Sequence, residues 1–186
     1  MDIEAHWITL ISIIIGLALT EMLNNLHGLI RDRTHVRWDP LPLVWAATSL
    51  FLVLNYWWAA YLRLDGSDEA RTAAEFGLIL APALLLFLTA ASILPKSNGP
   101  ADCDMRAHYE SQRKTIIGTF ILYQLSTWGT AILVGTLAWN YVTIVRIAIL
   151  ALLASMLIAN RRLWDWIGVT SIAVMLLIRL LTQVVR

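Results

Sequence analysis

The stretch ITLISIIIGLALTEMLNNLHG, residues 8–28, decides the fold. Its first half carries no charge, and the whole matches the roughly 20 apolar residues that a helix needs to cross a bilayer. Its second half then sets Glu21, Asn24, Asn25 and His27 into the same helix. On a helical wheel at about 100° per residue, Glu21, Asn24, Asn25 and Gly28 share one face. Leu19, Met22, Leu23, Leu26 and Ile30 fill the other. An ionised carboxylate facing lipid is costly, so the polar face is expected to meet protein or water.

Composition agrees with a lipid solvent. The chain has 186 residues, only 15% of them charged, and a mean hydropathy of +0.67. Soluble domains carry about 25% charge. A net charge of +1 offers no general basic surface for nucleic acid. Cys103 is the single cysteine, which excludes an internal disulfide and any multi-cysteine metal site. The opening MDIEAHW is acidic where a secretory signal is basic, so the first apolar run is expected to be a retained helix.

Six segments are long and apolar enough, or nearly so, to span: about 5–30, 41–63, 74–95, 112–137, 141–159 and 163–182. The expected fold class is therefore all-α, a single-domain polytopic bundle of six transmembrane helices. Basic residues set its direction. Arg31, Arg33 and Arg37 follow the first span, Lys96, Arg106, Arg113 and Lys114 the third, and Arg161 and Arg162 the fifth. Loops 31–40, 96–111 and 160–162 are thus expected in the cytoplasm and both termini outside, in a multi-pass cell-membrane protein. Arg179 and Arg186 run against this bias. Belts of aromatic residues at the headgroup level are read in Trp7, Tyr56, Trp57, Trp58, Tyr61, Trp139 and Tyr141 outside, and in Trp38, Trp45, Trp164 and Trp166 inside.

The loop from Pro95 is rich in breakers as far as Pro100, after which Asp102 or Asp104 is placed to cap a helix. No Gly or Pro follows until Gly118, so one helix is expected from about 104 to 137, with Arg106, Arg113 and Lys114 near anionic headgroups. Ile14-Ile15-Gly16 is echoed by Ile116-Ile117-Gly118, compatible with a 3+3 inverted repeat.

The fourth span carries a second polar stripe, Gln112, Thr115, Thr119, Tyr123, Ser126, Thr127 and Thr130. Spans one and four are therefore expected to face one another, with Tyr123 or a water bonded to Glu21. The candidate substrate or ion site comprises Glu21, Asn24, Asn25, Thr119, Tyr123 and Thr127, with Asn55 of span two and Arg146 of span five as lesser contributors. The same stripes also read as packing surfaces, the commoner role of small polar residues that let helices approach. Arg146 and Arg179 read equally as residues that snorkel to the headgroups.

No lysine lies deep within a span to anchor a Schiff base, Lys114 standing at the edge of the fourth, and His6, His27, His35 and His108 are too scattered for haem or a metal cluster. Neither a P-loop, GxSxG nor HExxH is present. No cofactor, metal or catalytic residue is expected. Two functions remain. One is a small channel or transporter for a proton, ion or small polar solute centred on Glu21. The other is a membrane interaction or sensor subunit of a larger complex. Membrane lipid and a second copy of the chain are the expected partners, because six helices leave little room for a wide pathway.

Overall fold

A computed structural model describes residues 3–64, 73–96, 103–133 and 141–183. Six helices occupy the apolar segments: α1 Ile3–Arg31, α2 Pro40–Leu64, α3 Ala73–Ile93, α4 Met105–Leu133, α5 Tyr141–Ala159 and α6 Arg162–Gln183. The fold is an all-α helical bundle. Segments His6–Arg31, Pro40–Leu62 and Glu75–Ile93 are each long and apolar enough to cross a membrane.

The helix starts follow from local chemistry. Asp39 Oδ1 accepts the Leu41 N–H at 3.1 Å and Pro40 stands first in α2, where its missing N–H costs nothing. Asp104, one of the two aspartates expected as caps, accepts the N–H groups of Arg106 and Ala107 at 2.9 and 3.0 Å. α5 ends at Asn160, whose φ of 43° is the left-handed conformation that asparagine tolerates at a helix end. α4 is unbroken from Met105 to Leu133. The rest of the expected 104–137 helix, residues 134–137, and the Trp139-Asn140 turn lie outside the described residues.

α3 stands at the centre, packed against α1, α2 and α4. Ala83 and Ala90 on it are fully buried, and such small residues let neighbouring backbones come close. α1 and α4 make at most marginal contact, so the expected facing of spans one and four gives way to an intervening α3. Gly16 and Gly118 leave open space where a Cβ would stand, so neither marks a close approach between helices of this chain.

The loops after α1, α3 and α5 meet at one end, here called the capped end. There β1, Val36–Arg37, pairs in parallel with β2, Cys103–Asp104, an element the apolar pattern did not suggest. The pairing is pinned by the Cys103 N–H, which donates to the His35 carbonyl at 2.9 Å. Trp45 is not a belt residue: it is 0% exposed, packed edge-on to Phe120 with centroids 4.9 Å apart. Large apolar side chains are exposed on every helix, among them Leu17, Leu54, Leu88, Leu122, Ile144 and Leu177.

Candidate functional site

The capped end concentrates the charge. α2, α4 and α6 all begin there, each with an aspartate at its cap or in its first turn: Asp39, Asp104 and Asp165. Each aspartate pairs with an arginine carried by another of these segments. Arg37, just before α2, reaches Asp104 of α4; Arg113 of α4 reaches Asp165 of α6; Arg162 of α6 reaches Asp39 of α2. The three pairs close a cycle that ties the starts of the three helices together.

The pairs are unequal. Arg113 and Asp165 are buried, with side chains 8% and 2% exposed. Arg113 Nε donates to Asp165 Oδ2 at 2.7 Å and Nη2 to Oδ1 at 2.8 Å, the bidentate geometry that suits a planar guanidinium. Nη1 also donates to Asn160 Oδ1 at 3.0 Å, and Nη2 to the Met156 carbonyl at 2.5 Å, which also accepts the Asn160 N–H at 3.3 Å where α5 ends. Arg113 therefore joins α4, α5 and α6 instead of lying at the headgroups, as its place among basic residues suggested. Asp165 stabilises the α6 start and is also this arginine's partner. Arg37 and Asp104 lie 3.9 Å apart and are much more exposed, so solvent screens them.

Tyr109 joins this cluster to α2. Its hydroxyl accepts Trp45 Nε1–H at 3.2 Å. Burial, and after it the Asp165 carboxylate, push the Tyr109 phenol well above its usual range, so the ring stays neutral.

Asp104 is held below its ordinary 3.8, first by the Ala107 N–H, which outweighs the opposing effect of burial, and then by the Arg106 N–H and the charges of Arg37 and Arg106. A depressed carboxylate adds stability that is complete above the unfolded value and is lost as pH falls through the lower folded value. Unfolding midpoints measured between pH 5 and 2 are expected to fall with acid. Asp104→Asn, which keeps an acceptor for the helix N-terminus but has no charge to titrate, is expected to show a shallower fall.

Beside the cycle lies an open cleft of about 320 Å³, lined by Arg37, Trp38, Asp39, Asp104, Arg106 and Arg162. Arg106 Nε donates to Glu110 Oε1 at 2.9 Å, and Arg162 Nη1 lies 3.9 Å from the same carboxylate.

The residues singled out in the sequence are dispersed. Glu21 Oε1 pairs with Lys96 Nζ at 2.8 Å, with side chains 29% and 64% exposed. Lys96 follows the end of α3 by three residues, so its side chain brings Glu21 into contact with that end of α3. The ten residues of α1 beyond Glu21 continue about 15 Å further. Asn24 is exposed and Asn25 buried, with Asn25 Nδ2 lacking an acceptor. Thr119 and Thr127 bond to carbonyls of their own helix, those of Thr115, Ile116 and Gln124. Tyr123 packs edge-on against Tyr56 at 6.2 Å, not against Glu21. Asn55 is half-buried on α2, and Arg146 is half-buried on α5, toward the end opposite Asn160.

Lys96, Asp39 and Arg162 were missed as partners, although their places in short loops beside helix ends made them available. No family model, curated protein or solved structure matches the chain.

Proposed function

We infer that the chain is a six-span membrane protein that serves as an interaction subunit, with its capped end as the recognition surface on the cytoplasmic side. One observation carries this: Glu21 is held by Lys96 while α3 separates α1 from α4. The two polar stripes therefore do not line a shared path, and the threonines Thr119 and Thr127 are satisfied by their own helix. Exposed apolar side chains on all six helices support a lipid environment for each, since soluble monomers seldom expose apolar patches beyond a few hundred Å². α3, with 21 residues, is about 32 Å long, close to the hydrocarbon thickness of about 30 Å. α1 and α4, with 29 each, exceed that thickness by more than 10 Å and supply the projecting part. A second copy of the chain is the first partner to seek, and native mass spectrometry in nanodiscs reads the copy number.

Transport around Glu21 is the second reading. It is favoured by buried Asn25 Nδ2, a donor without an acceptor beside a titratable acid. Proteoliposome flux separates the two. Wild type is expected to pass protons and alkali cations no faster than empty vesicles, and Glu21→Gln is expected to be silent. Flux by wild type that Glu21→Gln abolishes would establish transport instead.

Orientation has its own test. Cys103 is a poor reporter, because its thiol is half-buried and is pushed up by burial and by the Asp104 charge. Thr34 is exposed in the loop after α1, two residues before the strand that pairs with Cys103. Thr34→Cys in a Cys103→Ser background is expected to react with an impermeant maleimide only from the cytoplasmic side. Labelling of intact cells would reverse the topology.

A further inference from the structure

We propose that the cleft at the capped end binds a phosphate group. The proposal deepens the reading of this end as a recognition surface and rests on it.

The argument is a count of donors and acceptors. Asp39 is engaged through both carboxylate oxygens and Asp104 through one. Asp39 accepts the Leu41 N–H with Oδ1 and the Arg162 guanidinium with Oδ2. Asp104 gives Oδ1 to two backbone N–H groups of α4. The guanidiniums are not used up. Arg37 is 75% exposed, and its nearest acidic oxygen stands at 3.9 Å, beyond hydrogen-bond range. Arg106 is 63% exposed and commits its Nε to Glu110. Arg162 Nη1 is sealed from solvent and has no hydrogen-bond acceptor. A sealed guanidinium nitrogen without an acceptor is a standing cost, because a buried donor that loses water and gains no partner is left uncompensated.

Arg37 and Arg106, from two separate segments, therefore present spare N–H donors to one open cleft, and Arg162 adds a third positive charge to its wall. The starts of α2, α4 and α6 add their positive dipole ends on the same side. A tetrahedral phosphate has several oxygens to accept from such forks, and arginine is the residue suited to that bidentate geometry. Trp38, 44% exposed at the cleft, is a ring of the kind that sits at the headgroup level. The phosphate can be that of an anionic lipid headgroup or a free phosphate, and the chemistry of recognition is the same.

The test has two arms and a control. In the first, protein from nanodiscs of phosphatidylcholine with phosphatidylglycerol is analysed by native mass spectrometry for retained lipid. Wild type is expected to keep phosphatidylglycerol at least fivefold over phosphatidylcholine, and the Arg37→Gln/Arg106→Gln variant to show no preference. Both arginines are exposed, so circular dichroism of the variant is expected to match wild type. In the second arm, inorganic phosphate is titrated calorimetrically into protein in phosphatidylcholine nanodiscs. Heat that the double variant abolishes, without any lipid preference in the first arm, makes free phosphate the occupant and supports the site. The control is Arg31→Gln/Lys114→Gln, which removes two exposed charges from the same end outside the cleft and is expected to keep the wild-type behaviour. Equal loss in both double variants would reduce the effect to general surface charge and overturn the site. So would a wild type with neither lipid preference nor phosphate heat. Flux by wild-type vesicles would remove the interaction-subunit reading and leave the retained lipid unaffected, so the two failures are separable.

Discussion

Arg113→Leu is expected to destabilise the protein by about 3–5 kcal/mol, the cost of removing one partner from a buried ion pair. Asp165, 2% exposed, would be left charged with no cation beside it. The same change strips the Met156 carbonyl and Asn160 of the donor that closes the end of α5. Asp165→Asn is expected to cost less, about 2 kcal/mol, the scale of one hydrogen bond to a charged group. Its carboxamide still accepts from the guanidinium, and Arg113 keeps its bonds to α5. Arg113→Leu/Asp165→Leu is expected to recover part of the loss but not all, because neutralising both charges does not restore the bonds that Arg113 makes to Asn160 Oδ1 and the Met156 carbonyl. Thermal unfolding in detergent is the measurement, with a downward shift of Arg113→Leu on the order of 10 °C. A double variant as unstable as Arg113→Leu would mean that the burial of Asp165 is not the main cost.

This cluster marks where sequence reasoning stopped. The helices were legible because a long apolar run leaves few alternatives, and the Asp39-Pro40 and Asp104 starts because caps are local. The meeting of three loops at one end follows from alternating direction along the chain. Partners were not legible, since a helical wheel finds a face and not its neighbour. Glu21 and Lys96 are far apart in sequence, as are Arg113 and Asp165 or Trp45 and Tyr109. Arg113 sat among Arg106 and Lys114, both exposed, and nothing in that run distinguishes the arginine that turns inward. One signal was available and went unused. α3, FGLILAPALLLFLTAASI over most of its length, is apolar on all sides, and a helix of that kind tends to be a buried one. Placing α3 at the centre would have separated α1 from α4 and removed the expected contact of Tyr123 with Glu21. The polar stripe on α4 misled for a physical reason: a threonine hydroxyl can bond to the carbonyl three or four residues back, so it need not imply a partner across the bundle.

Trp45→Ala is expected to cost as much as the loss of Arg113, about 3–5 kcal/mol, as for other large aromatic side chains removed from a core. Trp45 is wholly buried, meets the Phe120 ring edge-on, and donates its indole N–H to Tyr109. It is the main link between α2 and the part of α4 that carries Arg113, so its loss opens a cavity and leaves the Tyr109 hydroxyl without its donor. Tyr109→Phe isolates the second effect. It keeps the ring and its packing but strands Trp45 Nε1–H, for about 1–3 kcal/mol. Trp45→Phe retains most of the volume and removes the donor, so its cost is expected to lie between those of Tyr109→Phe and Trp45→Ala. Adding Tyr109→Phe to Trp45→Phe is expected to cost little more than Trp45→Phe alone, because the shared bond is already gone. Additive losses in that cycle would mean that the Trp45–Tyr109 bond contributes nothing of its own, and that α2 is held to α4 by packing alone.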